Sequence, residues 1–159
     1  MEIVDHNGPF TVIVDYAHTP DAIAVVLASV RTATSGRIIS VVGAGGDRDK
    51  DKRPLMGSAA AQHSDLTIVT TDNPRSERPE DIAADVSRHA LAQNAAEVEI
   101  VVDRREAIQR AVSSARPGDI VLILGKGHET GQDIGTEILP FVDQDVAIDA
   151  LRSLGWLPI

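Results

Sequence analysis

Short β-rich apolar runs alternate with helical patterns along this chain, and this alternation limits its possible folds more than any other feature. Such alternation indicates a parallel sheet with helices on its faces. Aromatic residues make up only 3% of the sequence, so the core must consist of Val, Ile, Leu and Ala, as in parallel sheets. We therefore predict one α/β domain over residues 1–159, with a mostly parallel, doubly wound sheet of about six strands and an N-terminal β-hairpin.

Local signals place the elements. Asn7-Gly8 favours a hairpin between the first two strands. Thr19 before Pro20 is a helix cap followed by a proline at the first helical position, and Asp103 with Glu106 resembles a capping box. We expect strands near 2–5, 10–15, 37–42, 66–71, 98–102 and 119–124. We expect helices at about 20–32, 53–63, from 79 onward, from the cap at 103 to about 115, and at 143–154.

Composition excludes several classes of function. The net charge of −9 argues against a nucleic-acid partner, which would need a basic face. The absence of cysteine excludes disulfides and thiolate chemistry, and the five histidines show no metal-ligand spacing, so we expect no metal site. No apolar run approaches the ~20 residues of a membrane span, and the first residues do not resemble a signal peptide. We expect a cytoplasmic protein without a membrane partner.

Four loops at expected strand ends carry the polar groups, and ligands of open α/β sheets collect at such ends. In the first loop, His18 precedes a helix and could meet a phosphate; alternatively, Asp15 and Thr19 cap the helix and His18 is solvated. The second loop has a glycine-rich turn at 43–46 that could approach an anion, but its sequence does not match a P-loop. It is also not a complete dinucleotide motif, because Arg48 occupies the position of the third glycine. Arg48 could clamp a carboxylate, or the charges at 47–53 could simply be solvated.

The third and fourth loops offer both signs of charge. At 72–77, Asp72 could accept from an ammonium group and Arg75 could pair with a carboxylate, although an ordinary Asx-type turn is the alternative. At 125–131, three glycines alternate with Lys126, His128 and Glu129, which favours a ligand site over a flexible loop. Together these groups suit a ligand with amine and carboxylate groups, such as an amino acid.

Five motifs in register resemble one family. They are Asp-Tyr-Ala-His-Thr-Pro-Asp at 15–21, Gly-Ala-Gly-Gly-Asp-Arg-Asp-Lys at 43–50, Lys-Arg-Pro-Leu-Met-Gly at 52–57, Asp-Asn-Pro-Arg at 72–75 and Gly-Lys-Gly-His-Glu at 125–129. The chain resembles Mur ligases of the MurE type, which add the third amino acid of the peptidoglycan stem peptide. The resemblance implies a Rossmann-like C-terminal domain, with the N-terminal UDP-substrate and central ATPase domains absent from this chain.

The resemblance also implies a reaction. In the family, ATP phosphorylates the D-glutamyl γ-carboxyl of UDP-N-acetylmuramoyl-L-alanyl-D-glutamate, and the amine of meso-diaminopimelate or L-lysine attacks the acyl phosphate. ATP and Mg²⁺ are bound mainly by the central ATPase domain of the same polypeptide. The full-length ligase would be an enzyme, whereas this domain alone is expected to be inactive and to contain no catalytic residue.

Residue roles follow from the same resemblance. Arg48 and Arg75 would hold carboxylates, Asp72 and Glu129 would face the distal amine, and the Asn73 side chain and Gly125 carbonyl would add polar contacts. The resemblance implies an amino-acid site formed by Arg48, Asp72, Asn73, Pro74, Arg75, Gly125 and Glu129, with Asp15 and His18 on the nucleotide side, apart from it.

The Asp-Asn-Pro-Arg form at 72–75 resembles ligases that add meso-diaminopimelate, because Arg75 gives its second carboxylate a partner. Lys126 and His128 could approach phosphate groups, but no role is assigned to them. The alternative function is a stand-alone Rossmann-type nucleotide-binding or interaction domain. The glycine turn at 43–46 is its only support, and the missing third glycine opposes it.

Overall fold

The structure is a computed structural model, and it describes residues 1–93 and 96–157. Six strands form the main sheet, and two short strands form a separate small sheet. The strands are β1 (Glu2–Ile3), β2 (Thr11–Asp15), β3 (Ile38–Val42), β4 (Leu66–Val69), β5 (Glu97–Ile100), β6 (Ile120–Leu124), β7 (Gly131–Asp133) and β8 (Ile138–Pro140). The helices are α1 (Pro20–Arg31), α2 (Lys52–His63), α3 (Pro79–Leu91), α4 (Arg104–Ser114) and α5 (Asp143–Ser153).

The main sheet has the strand order β1-β2-β6-β3-β4-β5. β1 pairs antiparallel with β2, and the other neighbours are parallel. The central strand β6 pairs with β2 through Ile13 opposite Leu122 and with β3 through Ile39 opposite Val121. The mostly parallel six-stranded sheet and the N-terminal antiparallel pair are therefore confirmed.

Helices cover both faces of the sheet, so the doubly wound arrangement is also confirmed. On one face, α4 and α5 pack over the sheet, with Ile108 fully buried among the core residues. On the other face, α1, α2 and α3 lie side by side, with Leu27 fully buried. Burying a side chain of this size contributes about 1.5–3 kcal/mol, and the two apolar layers together hold the sheet between the helices.

The predicted caps form. Thr19 accepts a hydrogen bond from the Ala22 backbone at 3.2 Å, and Pro20 begins α1. Asp103 accepts from the Glu106 backbone at 2.9 Å at the start of α4. Within the described residues, no helix has both the length and the apolar character that a membrane crossing requires.

The small sheet of β7 and β8 corrects the sequence-based prediction, which placed no strand between 124 and 143. Each strand has only three residues, and the sequence Gly-Gln-Asp of β7 shows none of the apolar alternation that marks a strand. The pairing of Gln132 with Leu139 joins the two strands. Through Gln132 and Asp133, this hairpin contacts the loop at 72–77, which is distant in sequence. No local pattern could therefore predict its position.

The topology creates one crevice. β2, β3, β4 and β6 run parallel, so their carboxyl ends meet at one edge of the sheet. After β2 and β3 the chain enters α1 and α2 on one face, whereas after β6 it passes through β7 and β8 to α5 on the other face. Ligands of open α/β sheets bind at such a switch point, and the polar loops lie there.

Candidate functional site

A cavity of about 400 Å³ opens at this edge of the sheet. Its volume lies in the range of small-molecule sites, roughly 300–1,000 Å³. It brings together most of the residues to which the sequence analysis assigns a site role. Those that line it are Arg48, Asp72, Asn73, Arg75, Gly125, Glu129 and His18. Pro74 and Asp15 are not in the lining.

Asp72 presents a carboxylate to this cavity. The residue is 8% exposed, and no donor among the described residues hydrogen-bonds its side-chain oxygens. A Cβ on Gly125 would lie 2.7 Å from Asp72 Oδ2, and Gly125 has a φ of +108°, so only glycine fits beside this carboxylate. Burial raises the pKa of the Asp72 carboxyl, and the charges of Arg104 and Lys126 oppose that rise. The carboxylate is thus available to a cationic ligand.

Asn73 connects the loops around the cavity. Its Oδ1 accepts from Lys126 Nζ at 2.9 Å and from the Asp133 backbone at 3.0 Å, and its Nδ2 donates to Glu129 Oε2 at 3.0 Å. The Asn73 carbonyl accepts from the Gly46 backbone at 2.8 Å. Most of the hydrogen-bonding capacity of Asn73 is therefore used within the protein, which leaves one amide hydrogen for a ligand.

Arg75 lies in a strained turn held by its neighbours. It has a φ of +52°, which is uncommon for a residue with a side chain. Its backbone donates to the Asp133 carbonyl at 3.0 Å, and its Nη1 donates to the Gly46 carbonyl at 2.8 Å. Its Nε lies 3.5 Å from Asp133 Oδ2. These contacts aim a partly exposed guanidinium at the cavity.

The glycine turn at 43–46 is explained by packing. A Cβ on Gly43 would lie 2.5 Å from the Thr70 carbonyl, and a Cβ on Gly46 would lie 1.9 Å from the Pro74 carbonyl. These two glycines allow neighbouring segments to approach closely, so the glycine turn has a packing reason and does not by itself indicate a nucleotide site. Buried Pro74 acts here through its backbone, at the close contact with Gly46.

A charged network holds the loop that carries Arg48. Arg53, which is 1% exposed, donates to both oxygens of Glu77 at 2.7 and 2.9 Å. Glu77 also accepts from the Asp47 backbone at 2.7 Å, and Asp47 accepts from the Ser76 hydroxyl at 2.6 Å. The Arg53 hydrogen bond is the main reason why the pKa of Glu77 falls to about 2.

Arg48 lies on this braced loop with its guanidinium largely uncommitted. Its one side-chain hydrogen bond within the described residues goes to the Asp47 carbonyl at 3.3 Å. The residue is exposed and lines the cavity. It is therefore free to bind a carboxylate.

The first loop contributes His18 and Tyr16 to the wall of the same cavity. His18 is exposed, its Nδ1 lies 2.9 Å from the Tyr16 carbonyl, and the two rings are 4.7 Å apart. Asp15 accepts from the Ala17 backbone at 2.8 Å and shapes this turn. His18 thus borders the same cavity as the arginines and carboxylates, and its role on the nucleotide side stays a prediction.

Besides Arg53, which lines the cavity, two further buried cations were not assigned to the site by the sequence. Arg104, interpreted only as a helix start, is buried with Asp143 in a bidentate ion pair at 2.7 and 2.8 Å. It also donates to the carbonyls of Thr71 and Leu124, one residue before Asp72 and Gly125. Its spacing from buried residues 107, 108 and 111 places Arg104 on the inner face of α4. This spacing is the sequence signal that could have predicted the burial of Arg104. Lys126 is the second cation, and it is fully buried.

The described residues contain no group of three or more His, Asp or Glu side chains that could hold a metal ion. Opposite charges instead line the cavity: guanidinium groups on the loops after β3 and β4, and carboxylates on the loops after β4 and β6. Such a cavity can hold a small zwitterion in a fixed orientation.

Comparison with known proteins is consistent with this geometry. The UDP-N-acetylmuramoyl-L-alanyl-D-glutamate–2,6-diaminopimelate ligase of Aquifex aeolicus is 50% identical over 155 residues, which is 98% of this chain and 32% of that protein. The ligase of the same name from Geobacillus kaustophilus is 47% identical over 98% of this chain and 32% of its own length. The chain thus spans about a third of the length of these relatives.

Solved structures agree. A ligase of that name superposes with a TM-score of 0.90 at 39% identity, over 98% of this chain and 31% of the other. Escherichia coli FolC in complex with ADP shares the fold alone, with a TM-score of 0.58 at 22% identity, over 90% of this chain and 30% of the other. The family model described as "Mur ligase, glutamate ligase domain" matches residues 1–127. The chain therefore belongs to the Mur ligase family.

Proposed function

We propose that this chain is the C-terminal, amino-acid-binding domain of a ligase that adds meso-diaminopimelate to UDP-N-acetylmuramoyl-L-alanyl-D-glutamate in peptidoglycan synthesis. The observation that carries the proposal is that one cavity is lined by two guanidinium groups, Arg48 and Arg75, and two carboxylates, Asp72 and Glu129. Arg75 already contacts the Gly46 carbonyl and Asp133, so a ligand would take its remaining N–H donors. Diaminopimelate has two carboxylates and two amines, so it can satisfy all four groups. L-Lysine has one carboxylate and would leave one arginine without a partner.

The chemical contribution of such a domain is positioning. Carboxylates of the amino acid pair with Arg48 and Arg75, and its distal ammonium lies against Asp72 and Glu129. The Gly125 carbonyl and the remaining amide hydrogen of Asn73 add polar contacts. The free amine then attacks the acyl phosphate of the nucleotide substrate, and holding the two reactants together converts a bimolecular step into a local one. Neither activation of the carboxyl group nor nucleotide hydrolysis is assigned to this chain.

The nucleotide side of the proposal rests on the first loop. We assign His18, with Asp15 shaping its turn, to contacts with ATP in a longer protein whose central ATPase domain closes over the cavity. FolC, which shares only the fold, was solved with ADP. We assign Mg²⁺, together with ATP, mainly to that central ATPase domain. The reaction is assigned to the cytoplasm.

A chimera tests the function. The segment of the Aquifex aeolicus ligase that matches this chain is replaced by residues 1–159, and ligation of meso-diaminopimelate and L-lysine is measured with the uridine nucleotide substrate and ATP. We expect activity with diaminopimelate and at least tenfold lower kcat/KM with lysine. A chimera that turns over lysine as well as diaminopimelate would contradict the assigned specificity.

Direct titration complements the chimera. The 159-residue chain is titrated with meso-diaminopimelate and followed by NMR of its backbone amides. We expect shifts that concentrate on the loops at 43–53, 72–77 and 125–131. Shifts concentrated elsewhere, or none at millimolar ligand with a folded spectrum, would count against an amino-acid site in this cavity.

A further inference from the structure

We propose that Lys126 is a positioning residue for the acidic side of the cavity: its buried ammonium fixes the Asn73 amide and one oxygen of Glu129, so that the other Glu129 oxygen and the Asp72 carboxylate face an ammonium group of the ligand. The inference rests on the proposed function, because it concerns how the same cavity takes a diamino acid. Lys126 itself does not line the cavity.

The two carboxylate oxygens of Glu129 have different hydrogen-bond partners. Lys126 is 0% exposed, and its Nζ lies 2.9 Å from both Asn73 Oδ1 and Glu129 Oε2. Glu129 Oε2 also accepts from Asn73 Nδ2 at 3.0 Å. Oε1 receives no donor from residues 1–93 or 96–157, and the Glu129 side chain is 34% exposed at the cavity wall. One oxygen is held by the protein, and the other is left for a ligand.

The charges around the cavity floor explain why a cation is buried there. The Asp72 carboxylate feels the charges of Arg104, Lys126, Glu129 and Asp143. The Glu129 carboxylate feels those of Lys126 and Arg104. Arg104 already forms a bidentate pair with Asp143. Without Lys126, the mutual repulsion of the Asp72 and Glu129 carboxylates would be opposed only by Arg104, which Asp143 already binds, and a carboxylate in such a position tends to take up a proton. A protonated carboxyl no longer attracts an ammonium ligand by charge.

The pKa of the Glu129 carboxyl reflects its burial and these contacts. Burial raises the pKa of the Glu129 carboxyl, but hydrogen bonds from Lys126 and Asn73 outweigh burial and hold the pKa below its ordinary value. Removing the Lys126 ammonium therefore raises the pKa of Glu129. In such a variant, ligand affinity should fall as the pH decreases through the raised pKa, whereas the unaltered chain should keep its affinity over that interval.

The test compares Lys126→Met with Lys50→Met. Both substitutions remove one ammonium, but Lys50 is 67% exposed and is not in the lining of the cavity. The pKa of the Glu129 side-chain carboxyl is measured by carbon NMR in the 159-residue chain, and affinity for meso-diaminopimelate is measured by calorimetry between pH 5 and 8. For Lys126→Met we expect a Glu129 pKa above that of the unaltered chain and binding weakened about ten- to hundredfold, most strongly at low pH. Lys50→Met loses only the contact of Lys50 with Glu77 at 3.4 Å, so its Glu129 pKa should match that of the unaltered chain.

Two outcomes would overturn the proposal: an unchanged Glu129 pKa in Lys126→Met, or a pKa that rises equally in Lys50→Met. The pKa measurement needs no ligand. If the unaltered chain binds no diaminopimelate, the proposed function fails, while the pKa still decides the role of Lys126.

A double variant covers the case in which Lys126→Met folds poorly. Adding Glu129→Gln removes the carboxylate that has lost its cation, so the double variant should regain part of the lost stability. Strictly additive losses of stability would overturn the proposal, because they would show that Lys126 and Glu129 do not act on each other.

Discussion

Replacing Gly46 by alanine should separate the two loops that carry the arginines of the cavity. The new Cβ would lie 1.9 Å from the Pro74 carbonyl oxygen, and this oxygen is backbone and cannot rotate away. An ordinary contact begins at 3.4 Å, so the loops must move apart by the difference, about 1.5 Å. The movement breaks two hydrogen bonds of Gly46, one to the Asn73 carbonyl at 2.8 Å and one from Arg75 at 2.8 Å.

The magnitude follows from these two losses. A hydrogen bond contributes about 1 kcal/mol net, so Gly46→Ala should lower the free energy of unfolding by roughly 2 kcal/mol. The effect on binding should be larger in proportion, because a displacement of about 1 Å in a site can cost about a hundredfold. We therefore expect affinity for meso-diaminopimelate to fall by about a hundredfold while the domain stays folded.

Gly45→Ala is the matched control. Its Cβ would meet the guanidinium end of Arg75 at 2.9 Å, and a flexible side chain can move aside. Its stability should stay within about 0.5 kcal/mol of the unaltered chain. Urea unfolding and calorimetric titration of both variants provide the comparison. Equal stability of the two variants would refute the close packing of the Gly46 and Pro74 loops. The affinity of Gly46→Ala is compared with that of the unaltered chain, because Gly45 lines the cavity and its Cβ would displace the Arg75 guanidinium.

Three further predictions concern the charged groups. Arg75→Ala should weaken meso-diaminopimelate binding about ten- to hundredfold by calorimetry and affect L-lysine little; equal losses would place Arg75 on the carboxylate that both ligands share. Arg104→Met should leave buried Asp143 without its cation and lower the free energy of unfolding by about 3–5 kcal/mol in urea; a loss under about 1 kcal/mol would contradict the ion pair. The pKa of Glu77 is lowered to about 2, so its stabilising contribution is complete above its unfolded pKa of about 4.3 and is lost as the pH falls towards 2. Glu77→Gln should accordingly be less stable than the unaltered chain in urea at pH 7 and equal to it near pH 2.

Much of the fold could be predicted because it depends on local signals. The apolar runs at 120–124 and 38–42 identify buried strands, and Thr19 with Pro20 fixes the start of α1 to the residue. The strands β7 and β8 could not be found this way. Their three-residue segments have no periodicity, and their position depends on contacts such as that from Gln132 to the Asp72 carbonyl at 2.9 Å. A contact across sixty residues leaves no local pattern.

The candidate site could likewise be predicted only in part from the sequence. The side chains at the ends of strands could be chosen from the sequence, because parallel strands bring their carboxyl ends together. The groups that hold those side chains could not be chosen. Arg104 has the spacing of a core position, but its carbonyl partners Thr71 and Leu124 lie on two other segments. Lys126 stands between two glycines in a loop whose pattern favours a ligand site, but only the folded chain shows that Lys126 is buried against Asn73 and Glu129.

Backbone strain links these positioning groups to function. Asp47 and Arg75 have φ values of +53° and +52°, a conformation that costs a residue with a side chain about 1–2 kcal/mol. A contact from another segment holds each of these residues. Ser76, on the loop after β4, donates to the Asp47 side chain, and the Arg75 backbone donates to the Asp133 carbonyl of the β7–β8 hairpin. The strain is therefore offset before any ligand arrives, and binding need not order these loops again. Preorganisation of this kind increases affinity by reducing the entropy lost on binding. It follows that substitutions at Ser76, which does not line the cavity, should weaken ligand binding by loosening the loop that presents Arg48.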